Sequence, residues 1–183
     1  MVGFYAGAYT TGSFNTFMGR SAGQGGTISA PYSSGQYNTA VGYEALKVFT
    51  TGQYNVVIGV ESGKSITGGD KNLYIGYQSG RMNQSGSHNI AIGHESQEGV
   101  STYSPDHNVS IGVQTLKALT SGEYNTVVGN YAGDAITTGG YNALFGYNAG
   151  GALTTGATNT FIGYNVGTET DDGTYNVGVG STL

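Results

Sequence analysis

Apolar residues recur along this chain in short bursts, not in helical stripes. Bursts such as Tyr54-Asn55-Val56-Val57-Ile58 are rich in β-branched and aromatic residues, apolar on both parities and closed by glycine. A second, more polar stretch follows, as in Lys64-Ser65-Ile66-Thr67, with one apolar residue among polar ones. In successive copies that lone position reads Phe49, Ile66, Asn83, Val100, Leu119, Ile136, Leu153 and Thr170. Glycine density and the lack of a 3.6-residue period exclude a helix. Both stretches read as short strands joined by sharp bends.

The bursts are strictly periodic. Asparagine followed four residues later by glycine anchors the repeat, at Asn15, Asn38, Asn55, Asn72, Asn89, Asn108, Asn125, Asn142, Asn159 and Asn176. Successive spacings are 23, 17, 17, 17, 19, 17, 17, 17 and 17, so ten copies of a 17-residue unit carry one six-residue and one two-residue insertion. A 17-residue unit cannot bury an apolar face alone, and stacked β rungs solve that problem. The expected fold is all-β: a parallel β-roll or β-solenoid of about ten rungs, a single domain over residues 1–183 with inserted loops near 24–33 and 97–105. At the usual strand spacing ten rungs make a rod roughly 48 Å long. In-register stacking brings the ten asparagines into one column, where their amides can hydrogen-bond from rung to rung; their expected role is structural.

The first strand makes a second prediction. Its residue before the anchor glycine is always large and apolar (Met18, Val41, Ile58 and so on to Val179), and its other parity includes Phe17, Val57, Tyr74, Val127, Leu144 and Phe161. A strand apolar on both faces must be covered on both. The coil can cover one face. Other copies of the chain must cover the other, and cyclic closure makes a homotrimer the expected state.

Composition narrows the function. Charged residues are 9% of the chain, with six Lys/Arg and a net charge of −5, which argues against a nucleic-acid partner. No apolar run is long enough to insert in a membrane as a helix. There is no cysteine, so a disulfide framework and a thiolate metal site are excluded.

Units such as "YNTAVGYEALKVFTTG", "YNVVIGVESGKSITGG", "YNTVVGNYAGDAITTG" and "TNTFIGYNVG" resemble the glycine- and asparagine-rich repeats of bacteriophage tail-fibre proteins and related bacterial adhesive fibres. They are similar, too, to the "NA-x-A-I-G" repeats in the head of trimeric autotransporter adhesins. The resemblance covers essentially the whole chain. It implies a left-handed trimeric β-roll and a receptor-binding or stalk role, extracellular, on a virion fibre or a bacterial surface. The autotransporter repeats are shorter than 17 residues, however, and no membrane-anchor segment follows here. Phage-type fibres often end in a self-cleaving chaperone, and this chain starts and stops in mid-repeat, as an excised fragment would.

No catalytic constellation emerges, and no cofactor or metal is expected. Glu44, Glu61 and Glu95 share one column with Gln78 and Gln114, read as a solvated or interchain polar row. An acyltransferase-type hexapeptide helix would need three aliphatic steps per 18-residue rung, which the repeat lacks. The column before the asparagine reads Phe14, Tyr37, Tyr54, then Lys71, His88 and His107 in mid-rod, then Tyr124, Tyr141, Thr158 and Tyr175. With His94 nearby, that band is a candidate ligand surface, although drift among exposed positions explains it as well. The insertions are the other candidates, since extra residues protrude at a bend without disturbing the rungs. Thr27, Tyr32 and Tyr103 represent them, so the candidate ligand set is Thr27, Tyr32, Lys71, His88, Tyr103 and His107. The expected function is non-enzymatic: a fibre-tip or fibre-shaft domain that recognises a host or prey surface through a glycan or protein receptor. A purely structural stalk is the alternative. Recurrent Thr-Thr-Gly triplets raise a third, less regular one, an ice-binding solenoid.

Overall fold

A computed structural model describes residues 1–26, 32–100, 104–169 and 171–182. Each repeat contributes one strand, centred on the apolar burst: β1 (Thr16–Met18), β2 (Thr39–Val41), β3 (Val56–Ile58), β4 (Leu73–Ile75), β5 (Ile90–Ile92), β6 (Val109–Ile111), β7 (Thr126–Val128), β8 (Ala143–Phe145), β9 (Thr160–Tyr164) and β10 (Val177–Ser181). They form one all-parallel sheet in chain order, each strand paired only with its sequence neighbours. Register follows the repeat: Val57 lies between Ala40 and Tyr74, and Ile58 between Val41 and Ile75. Among the described residues there is no helix. The chain is a β-solenoid.

The second stretch is not a strand. Residues 59–65 run through turns, with every second residue from Gly59 to Gly63 left-handed (φ of 135° at Gly59, 55° at Glu61 and 51° at Gly63), and none of Lys64–Thr67 is in a strand. Backbone hydrogen bonds still join the rungs, but their direction alternates. The Glu61 N–H donates back to the Tyr43 carbonyl (2.8 Å), whereas the Gly63 N–H donates forward to Ser79 (2.8 Å). Burst chemistry alone could not reveal this, because a turn residue that stacks on its copy in the next rung obeys the same period as a strand residue. At Gly59 glycine is obligatory twice over. Its φ is unfavourable to an L side chain, and a Cβ there would collide with the Gly76 carbonyl oxygen of the next rung.

The second residue of each strand from β1 to β9 points inward. Phe17, Ala40, Val57, Tyr74, Ala91, Ser110, Val127, Leu144 and Phe161 are all buried. The column three after the anchor glycine (Ala22, Ala45, Ser62 and onward to Val166) meets them, and Phe49, Ile66, Leu119, Ile136 and Leu153 close the interior from the far side. Val100 departs from the expected row and is exposed, while Asn83 occupies its place in the core by donating to the Tyr74 hydroxyl at 2.7 Å. Thr170 lies outside the described residues.

Interior volume is balanced within each rung. Where the inward strand residue is large, the position six later is glycine: Phe17/Gly23, Val57/Gly63, Tyr74/Gly80, Val127/Gly133, Leu144/Gly150 and Phe161/Gly167. Where it is small, that later position is large: Ala40/Leu46, Ala91/Gln97 and Ser110/Leu116. Leu46, Gln97 and Leu116 are buried at φ of 51°, 48° and 51°, the same conformation as the glycines they replace. Two apolar clusters result, one from Phe17 to Ala91 and one from Leu116 to Val166. A polar span separates them, in which Ser96 and Ser110 hydroxyls pair at 2.9 Å and Gln97 donates to Asn89 at 3.1 Å.

Candidate functional site

The asparagine column is the spine of the rod. Asn55 illustrates its chemistry: the Nδ2 group donates to Asn38 Oδ1 (3.1 Å) and to the Gly69 carbonyl (2.8 Å). Its Oδ1 accepts from both the backbone N–H and the Nδ2 of Asn72, at 2.9 and 3.0 Å. The pattern repeats down to Asn176, whose N–H and Nδ2 reach Asn159 Oδ1 at 3.0 Å each. Asparagines 38 to 159 are buried, so these bonds consume the full amide capacity of the column and leave none for a ligand.

One residue before each asparagine the backbone is left-handed, with φ between 57° and 63° from Phe14 to Tyr175. This conformation costs about 1–2 kcal/mol for a non-glycine residue. It turns the side chain out at the same angle in every rung, so aromatic rings stack. Phe14 lies on Tyr37 (4.9 Å between centroids) and Tyr37 on Tyr54 (5.0 Å, rings 1° from parallel). His88 stacks on His107 at 4.8 Å, His107 on Tyr124 at 4.8 Å and Tyr124 on Tyr141 at 5.1 Å. The histidines therefore extend the aromatic ladder. Its breaks are at Lys71 and Thr158, both exposed. Among the described residues no three His, Asp or Glu side chains gather as a metal site would require. His94 belongs to a separate column after the anchor glycine, where it stacks on Tyr77 at 5.1 Å.

The other predicted ligand residues divide. Tyr32 is exposed beside the first insertion, whereas Thr27 and Tyr103 lie outside the described residues. Both extra segments are narrower than the sequence suggested. Gly25 and Gly26 still donate to the Lys47 and Phe49 carbonyls, and Ser33 pairs back with Tyr9. Gln97 and Gly99 likewise remain bonded to Thr115 and Lys117, and Pro105 is buried in the rung.

The glutamate column forms an ion-pair ladder that sequence reading missed. Lys64 bridges Glu44 (2.7 Å) and Glu61 (2.9 Å), Lys47 also pairs with Glu44 (2.7 Å), and Arg81 joins Glu61 to Glu98 at 3.3 and 3.4 Å. Lys117 holds Glu95 at 2.6 Å, and Gln78 and Gln114 donate to Glu61 and Glu95 at 2.8 Å. Partial burial pushes the Glu44 carboxyl up, but hydrogen bonds and charge from Lys47 and Lys64 outweigh it and bring it to about 2. Hydrogen bonds from Lys64 and Gln78 lower Glu61, and the bond from Lys117 lowers Glu95. The available signal was a basic residue three after four of the five column members (Glu44/Lys47, Glu61/Lys64, Gln78/Arg81, Gln114/Lys117), Glu95 being followed by Glu98. The carboxylates are committed to these partners. In the Thr-Thr-Gly triplets at 50–52, 137–139 and 154–156 the first threonine hydroxyl is engaged as well, and so are Thr67 and Thr120 at the matching positions of other rungs. Thr50, Thr67, Thr120, Thr137 and Thr154 each donate to a carbonyl of the following rung.

The outer face of the sheet has no such partners. After each inward residue the strand turns an apolar side chain out, among them Met18 (51% exposed), Ile58 (38%), Ile111, Phe145 (40%), Ile162 (43%) and Val179; before it stands an apolar residue such as Val56 or a threonine (Thr16, Thr39, Thr126, Thr160). This row runs the length of the sheet between the aromatic ladder and the Tyr77–His94 and Tyr147–Tyr164 stacks. Comparison with protein-family models, with curated proteins and with solved structures finds no match to the chain.

Proposed function

We propose that the chain is a non-enzymatic fibre segment, at the tip or in the shaft, that assembles as a homotrimer and recognises a cell surface outside the cell, on a virion fibre or a bacterial surface. The observation that carries this reading is the apolar outer face of ten in-register strands. A few large apolar side chains on a surface are unremarkable, but a continuous row this long is the signature of an interface. Burying it between copies removes it from water, and threefold closure does so for every copy at once. The rest of the architecture suits a load-bearing rod. The asparagine spine, the ion-pair ladder and the hydroxyls of Thr50, Thr67, Thr120, Thr137 and Thr154 all bind rung to rung. Repetition of any contact site three times about the axis would turn weak recognition of a glycan or protein receptor into firm attachment.

Screening the assembled protein against intact cells and immobilised glycans tests the recognition half of this reading. Saturable binding is expected. A correctly assembled trimer that binds no surface would leave a structural stalk in its place.

A further inference from the structure

The aromatic ladder spends its ring faces on itself. In an unbroken stretch each ring is covered above and below by its neighbours about 5 Å away, and only edges and hydroxyls meet solvent. Free ring faces therefore exist where the ladder is broken. At Thr158 the break is wide, because a small side chain stands where a ring would be. Tyr141 below it is 64% exposed, against 45% for Tyr124, which is covered on both sides by His107 and Tyr141. Tyr175 above it is 81% exposed.

Tyr141, Thr158 and Tyr175 share one backbone conformation, with φ of 59°, 60° and 58°, so the Cα–Cβ bonds of the two tyrosines leave the coil on the same side. Two rung steps separate them, about 10 Å at the ordinary strand spacing. That gap accepts one six-membered ring at the ladder's own spacing. The residues preceding this column on the three rungs are small, Gly140, Ala157 and Thr174. Hydroxyl-bearing side chains are grouped here: the two tyrosines, Thr158 between them in the column, and Thr160, two residues on in β9 and on the opposite parity to buried Phe161. An apolar sandwich with a polar rim matches a pyranose with all substituents equatorial. Such a ring shows axial C–H bonds to both faces and hydroxyls around its edge.

From this geometry, and resting on the adhesive reading above, we infer that Tyr141 and Tyr175 clamp a single β-gluco-configured pyranose residue of a surface glycan over Thr158. An axial hydroxyl, as in the galacto configuration, would press against one of the two rings and is selected against. Lys71 makes the other break unsuitable, since its long side chain occupies the rung.

Saturation-transfer NMR on the assembled protein with methyl β-D-glucopyranoside tests this assignment. Transfer to the axial ring protons is expected, at least threefold stronger than to methyl β-D-galactopyranoside. Thr158→Tyr completes the ladder and should abolish the transfer without lowering the thermal midpoint. Lys71→Tyr, which closes the other break, should leave it intact. The inference is overturned if the wild-type protein shows no transfer, if Thr158→Tyr leaves it unchanged, or if p-cresol outcompetes the glucoside and thereby marks the slot as a seat for a protein's aromatic side chain. The mass of the same sample, measured by light scattering, shows separately whether the trimer itself has failed.

Discussion

Leu144 and Gly150, six residues apart on one rung, occupy a single volume: a Cβ on Gly150 would lie 2.9 Å from Leu144 Cδ1. Ala40 with Leu46 and Ser110 with Leu116 are the same pair with the volume exchanged. Leu144→Ala alone should cost about 2–5 kcal/mol through the cavity it opens. Gly150→Leu alone should cost about 1–3 kcal/mol through overpacking. The double variant should recover most of both losses, since it reproduces a rung the rod already contains. A double-mutant cycle by chemical denaturation checks this, and additive losses would refute the shared volume.

Asn125 tests the spine. Its Nδ2 donates to Asn108 Oδ1 and the Gly139 carbonyl, and its Oδ1 accepts twice from Asn142, all at 3.0 Å. Asn125→Ala strands several buried polar groups at about 1–3 kcal/mol each, a loss on the order of 3–5 kcal/mol. N125D keeps the acceptor but aims a second oxygen at Asn108 Oδ1 and the Gly139 carbonyl. Burial there raises the carboxyl pKa of the variant, so its stability should be best in acid and should fall as pH rises past the ordinary aspartate value. Thermal melts at several pH values give the answer.

The native ion-pair ladder behaves in the opposite sense. Glu44, Glu61 and Glu95 are all held below their ordinary value of 4.5, Glu44 at about 2. Their contribution is therefore present above that ordinary value and is lost as pH falls through the lowered ones. The pairs are partly exposed, so each is worth only about 0.2–1 kcal/mol. The thermal midpoint should drop between pH 4.5 and 2, and E44Q should shrink that drop. An E44Q variant with an unchanged acid profile would show that the ladder contributes nothing to folding.

Charge on the outer sheet face separates folding from assembly. Ile58 and Ile111 are 38% and 37% exposed on the single rod, so Ile58→Lys with Ile111→Lys should leave each coil intact. Buried between copies, the same two lysines would carry unpaired charge into an apolar interface. The double variant is expected to retain the circular-dichroism spectrum of the wild type and to sediment as a monomer. Loss of the spectrum at the same time would place these residues in the coil's own core.

The fold was legible because the repeat was. Ten asparagines in register announced stacked rungs, and a strand apolar on both parities announced one face inside and one outside. The second strand was misread, since the left-handed column of Glu61 carries no trace in residue type: Glu, Gln, Tyr and Asn all adopt φ near 55° there. The exchange of volume between Leu144/Gly150 and Ala40/Leu46 was present in the sequence, and it emerges only when two columns are read against each other. The same holds for the Glu44–Lys47 ladder. The histidines are the converse case. Their chemistry suggested a separate polar band, yet a flat ring at that φ simply stacks, and His88 and His107 continue the tyrosines. Thr158 interrupts the aromatic column in the sequence itself, but the ring faces it leaves uncovered follow only from the stacking of the neighbouring rungs.

Assembly is the claim on which the fibre reading stands, and molar mass by multi-angle light scattering at neutral pH measures it directly. One chain weighs 18.8 kDa. Three chains closed around the outer sheet face predict a single species of about three times that mass, stable to dilution, with the Ile58→Lys/Ile111→Lys variant at one third of it. A wild-type protein that elutes at the mass of one chain at every concentration would contradict the account.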